Sequence, residues 1–116
     1  MLIRFFLIMT LPLVLAACTD AEDASSAGEV VARDGASIYR QYCVVCHSSG
    51  AGGAPVVAKE NRLHWSHEVE EEGFEAIVRE AINGVNAMPP RGGCMDCSDD
   101  EIRATVIHML QLSGAK

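Results

Sequence analysis

Cys43-Val44-Val45-Cys46-His47 is the segment whose residue types and spacing can do chemistry. Two thiols three residues apart lie close together on one helical turn, so both can add to the two vinyl groups of a single haem. The adjacent imidazole of His47 then meets the iron, and C-x-x-C-H reads as a c-type haem attachment. Three other uses compete. A zinc half-site would need Cys94 and Cys97 as its complement, but the gap between the pairs is far longer than ribbon spacing. A thioredoxin-like redox pair would sit near a βαβ pattern, and the sequence shows none. A structural disulfide beside an incidental histidine is the third. The export signal described below also favours haem, since c-type haem is attached on the outer side of the membrane.

A second axial ligand has to come from elsewhere in the chain. Met109 lies on the apolar stripe of a helix and Met95 is confined between Cys94 and Cys97. Met88 is different, because it leaves a helix and enters a segment stiffened by Pro89 and Pro90, where a thioether can be aimed. A methionine there would stabilise ferrous iron and raise the reduction potential. His64 and His67 are the competing ligands, and otherwise they and His108 read as surface or packing residues.

The elements that must position these residues are helical. Phe74, Ile77, Val78, Ala81 and Ile82 form one apolar stripe, with Glu68 and Glu70 to Glu72 toward its N-terminal side. Ile102, Val106, Met109 and Leu110 form another, opened by Ser98 and Glu101 in capping-box spacing and followed by Gly114. A shorter pattern runs from Asp34 through Ile38 and Tyr42 toward Cys43. Residues 50–55 and 89–93 read as loops, and no segment alternates with period two. The expectation is an all-α fold of three or more helices around one covalent haem. A domain of this size has a marginal core, so the bound group contributes to stability.

The chain before residue 34 reads as delivery machinery. Residues 1–17 hold one charge, Arg4, then an apolar run from Phe5 to Leu15 and small residues, which is a signal peptide too short to span a bilayer. Leu15-Ala16-Ala17-Cys18 resembles the lipobox of bacterial lipoproteins, which implies cleavage before Cys18 and its lipidation. Residues 19–33 are small, polar and acidic with no apolar period, a flexible tether. The haem domain is expected at 34–116. Removing residues 1–17 takes away one Arg and no acid, shifting the formal charge from −7 to −8. That sign argues against nucleic acid as a partner.

Residues 34–111 resemble a class I c-type cytochrome, and Asn86-Ala-Met-Pro-Pro-Arg-Gly-Gly-Cys-Met-Asp-Cys-Ser98 is similar to the small bacterial cytochrome c-five group. The resemblance implies an electron carrier rather than an enzyme, with His47 and Met88 as axial ligands and a Cys94–Cys97 disulfide. It implies further that the Pro55 carbonyl accepts the Nδ1 proton of His47. Trp65 is left with two roles, donating its indole N–H to a haem propionate or covering the pocket. Arg91 lies near the haem rim or is a solvated loop charge, and the Glu68–Glu72 run is a solvated face or a docking site for a basic partner. The expected setting is the periplasm, on a bacterial membrane, with a quinol-oxidising cytochrome complex as donor and a terminal oxidase, peroxidase or reductase as acceptor. Two other functions stay open: a haem sensor or peroxide-reactive site if Met88 dissociates, and a thiol redox module using Cys94 and Cys97.

Overall fold

The computed structural model describes residues 31–116, and the signal peptide, Cys18 and most of the expected tether lie outside them. All the described regular structure is helical apart from one isolated bridge between Val85 and Met88. None of the described helices is long and apolar enough to cross a membrane.

The domain starts at Asp34, whose carboxylate accepts the Ser37 N–H at 2.8 Å and caps helix α1, Gly35–Ile38. The path continues through a π-turn, Tyr39–Cys43, into α2, Val44–His47, so residues 35–47 are one helical stretch. A π-turn inside a helix commonly marks a functional site, and this one ends on the first cysteine of the motif. Helix α3, Arg62–Glu71, is separated from α4, Phe74–Asn83, by Gly73 at φ 84°. The acids expected beside the α4 stripe belong instead to the end of α3 and the turn after it. Helix α5, Asp99–Ser113, opens with a complete capping box: Glu101 N–H donates to Ser98 Oγ at 3.2 Å and Ser98 N–H to Glu101 Oε2 at 2.8 Å. It closes at Gly114 in the left-handed region, φ 72°.

The stripes of α4 and α5 meet α1 in one core, where Ile38, Val78, Ile102 and Val106 are buried around Cys94 and Cys97. Each such aliphatic side chain contributes about 1.5–3 kcal/mol on burial. Gly35 makes the crossing of α1 over α5 possible, because a Cβ there would overlap the Ala104 carbonyl and lie 2.6 Å from Thr105 N. A second cluster joins Tyr39, Cys43, Trp65 and Met109.

Arg33 belongs to the folded body rather than to the tether. Its backbone N–H and its Nε donate to Glu101 Oε1 at 2.8 and 3.0 Å, and Nη1 pairs with Asp96 at 3.2 Å. The Arg33 bonds, then the Ser98 N–H, hold the buried Glu101 carboxyl down at about 2. A depressed carboxylate contributes stability in full above its unfolded value of about 4.3, and that contribution disappears as pH falls toward about 2. The thermal midpoint of the wild-type protein should therefore drop on acidification through this window, and Glu101→Gln should flatten the dependence. Equal slopes in thermal melts of the two proteins would contradict the assignment.

Candidate functional site

The helical stretch 35–47 places Cys43 and His47 on its buried side and Cys46 at the surface. Both cysteines are free thiols, whereas Cys94 and Cys97 form a disulfide with Cα atoms 5.4 Å apart. Burial, and to a lesser degree Cys46, pushes the Cys43 thiol up to about 11, so it is neutral at physiological pH.

A strap of residues 55–57 fixes the histidine. His47 Nδ1 lies 2.8 Å from the Pro55 carbonyl, which can only accept, so Nδ1 carries the proton and Nε2 keeps its lone pair. Val57 N–H donates to the His47 carbonyl at 2.7 Å, closing the strap on the other side. The Val56 carbonyl accepts the Trp65 indole N–H at 2.9 Å and the Asn61 side-chain amide at 3.1 Å. Of the two roles left to Trp65, donation to a propionate would compete with this bond to Val56, whereas the ring, 6.2 Å from the His47 ring, is placed to cover the pocket.

The opposite wall carries Met88. After α4 the chain turns sharply: Val85 and Met88 exchange both backbone hydrogen bonds, at 3.1 and 2.8 Å, with Asn86 at φ 51° between them. Gly84 is required on two counts, since it sits at φ 81° and a Cβ would lie 2.7 Å from the Met88 carbonyl oxygen and 2.8 Å from Pro90 N. Gly92 faces the cavity from the other side with more room. A Cβ added there would be 3.6 Å from Cys43 Sγ and 3.9 Å from Met88 Cε.

Cys43, Cys46, His47, Pro55 and Met88 all line one cavity of about 470 Å³, within the range of about 300–1,000 Å³ that holds cofactor-sized ligands. Its lips are small, Ala51 to Ala54 against Ala87, and a Cβ on Gly52 would lie 3.7 Å from the Ala87 Cβ. A smaller adjoining space of about 110 Å³ reaches Trp65, Val106 and Met109 beneath His47 and Met88. An apolar slot with two free thiols, an imidazole and a thioether on its walls fits a covalently attached haem, because the donors are the nitrogen and sulfur atoms that haem iron takes.

Other residues fall elsewhere than expected. His64, read as surface or packing, lines the cavity, with Nδ1 3.8 Å from Glu68; His67 is exposed against Glu71, and His108 meets the Tyr39 ring edge-on. The Glu68–Glu72 run is not simply a solvated face, since Glu68 and Glu72 line the cavity with Glu80. Arg91 is not free in solvent, because it bonds Cys97 and Asp99. Sequence reasoning missed these contacts and those of Arg33; only the positive φ positions at glycine carried a local signal.

An all-helical shell with this wall of donors defines a c-type cytochrome domain. Residues 30–109 match the family described as cytochrome c oxidase, cbb3-type, subunit III. The chain is 40% identical over 87 residues to cytochrome c5 of Ectopseudomonas mendocina, covering 74% of this chain and 97% of that protein. It is 37% identical over 79 residues to cytochrome c5 of Azotobacter vinelandii, covering 67% and 93%. A cytochrome c solved in an electron transfer complex of nitrite reductase with cytochrome c superposes with TM-score 0.61 at 34% identity, over 68% of this chain and 93% of that one. This chain belongs to the class I c-type cytochromes, in their cytochrome c5 group. It carries one covalent haem c and acts in electron transfer.

Proposed function

We propose that the chain is a membrane-tethered single-electron carrier whose haem is bound through Cys43 and Cys46 and ligated by His47 and Met88. The observation that carries this reading is the convergence of all four side chains on one cavity. The haem supplies one-electron exchange between ferrous and ferric states. The chain's part is to hold the His47 and Met88 donors rigidly, exclude water, and leave an edge open for brief encounters; were both side chains bound to the iron, no substrate site would remain, as expected of a carrier rather than an enzyme. Redox encounters of this kind bury little surface. The complex formed by a structural relative with nitrite reductase supports a reductase as acceptor, with a terminal oxidase or peroxidase as the other classes and a quinol-oxidising cytochrome complex as donor. Visible spectra of the purified protein in both redox states, with its intact mass, test the reading: they should show one low-spin haem and a mass raised by one haem. A high-spin ferrous spectrum would overturn it.

The anchor is Cys18, lipidated after removal of the signal peptide, with the domain on the periplasmic side of a bacterial membrane. Some 15 tether residues confine the domain to a shell at most about 50 Å deep. Partners in that membrane then meet a raised effective concentration without any stronger contact. Cys18→Ser, exported by a substituted secretory signal, should give a soluble cytochrome with unchanged spectrum and potential. Reduction of membrane partners should fall at low expression and recover when the soluble form is in excess. An intact wild-type mass without acyl chains would sink the lipid reading and leave the haem reading standing.

A further inference from the structure

The turn after Met88 contains a feature that attachment of the haem does not explain. Arg91 sits at φ 56°, in the left-handed region that a residue with a side chain enters only at a cost, and Gly92 and Gly93 follow at φ 59° and 88°. Its guanidinium turns away from the cavity: Nη1 donates to the Cys97 carbonyl at 2.8 Å and Nη2 to Asp99 Oδ1 at 2.6 Å. The two acceptors flank Ser98, the cap of α5, so the fork grips the first turn of the longest described helix. Arg91 is the half-buried partner and Asp99 the exposed one, their side chains 24% and 67% accessible.

The geometry points to Arg91 as the positioning residue that keeps Met88 on the iron. This rests on Met88 being the axial ligand. The disulfide closes only residues 94–97 and leaves 89–93, with two glycines, outside its loop. The paired hydrogen bonds of Val85 and Met88 hold the entry to the turn. On the exit side, the Arg91 fork is the side-chain tie that reaches α5. Gly92, next in the chain, faces both groups across the space a Cβ would fill, since one added there would lie 3.6 Å from Cys43 Sγ and 3.9 Å from Met88 Cε, so slack at Arg91 moves backbone that stands beside the thioether.

Imidazole binding to the ferric holoprotein tests this, because an outside ligand enters only after Met88 leaves and the rate at saturating imidazole reports that opening. Arg91→Gly accepts the left-handed backbone without strain and removes the fork, but it also adds a third glycine's freedom to the turn, so Asp99→Asn, which leaves that backbone as it is, separates the two effects. Arg91→Gly should raise the saturating rate about tenfold or more, as expected for loss of charge-assisted hydrogen bonds. Arg91→Lys should fall between it and wild type, and Asp99→Asn should give a smaller rise, carrying the test if Arg91→Gly does not fold. A merely structural role would lower the thermal midpoint and leave the rate at room temperature alone. Unchanged rates in these variants, with the red charge-transfer band of a thioether-bound ferric haem present in wild type, overturn the clasp. Absence of that band in wild type overturns Met88 as ligand, and the clasp with it.

Discussion

The double variant Cys43→Ala, Cys46→Ala is expected to give up all of its haem to acidified organic solvent after denaturation, whereas the wild-type protein keeps one haem per chain. The two thiols occupy different environments: Cys43 is buried against Tyr39, Trp65 and Met109, and Cys46 is exposed at the lip. The structure gives neither a disulfide partner, and the neutral Cys43 thiol can become a thioether without placing charge in the second cluster. In the double variant His47 and Met88 alone would hold the group, and a dissociable ligand stabilises the fold only by mass action. In so small a domain the thermal midpoint should become dependent on added haem. Wild-type protein that released its haem to the solvent would show that the cysteines serve another purpose.

Met88→Ala should lower the reduction potential on the order of 0.2 V, a fraction of the ~0.8 V over which axial ligands set haem potentials. Thioether sulfur favours ferrous iron, and its removal leaves water or a histidine to take its place. His64 is the cavity-wall histidine besides His47, and its Nδ1 lies 3.8 Å from Glu68. If His64 moves in, the potential falls while the iron stays closed to carbon monoxide, and adding His64→Ala should open it. If water moves in, the single variant binds carbon monoxide at once. A potential unchanged from wild type in a redox titration would mean that the wrong methionine was chosen.

The parts of this molecule that could be read from the sequence are those encoded within a few residues. Helices α4 and α5 announce themselves by apolar spacing, and α5 by Ser98 and Glu101 as well. The stretch toward Cys43 is visible, but its π-turn is not, because residues 39–43 have the composition of ordinary helix. Helix α3 escapes a periodic reading since only Trp65 among its residues is buried and Leu63 is exposed. Met88 stood out through the two prolines beside it. The contacts of Arg33 and Arg91 did not, because the first reaches Glu101 across most of the domain and the second depends on a left-handed arginine that no propensity favours. The acceptor for the Trp65 indole was equally hidden, being a backbone carbonyl that the strap alone brings near.

The crossing at Gly35 bears on the order of events in making the protein. The first helix of the domain rests on the last, with the Ala104 backbone where a Gly35 side chain would be. Such a pairing joins distant parts of the chain, so it cannot form until the residues beyond Ala104 are present in the same compartment. Throughout that interval the thiols of Cys43 and Cys46 lie in an open segment whose N-terminal neighbour has no partner. Any haem attachment that precedes this closure would find both thiols accessible.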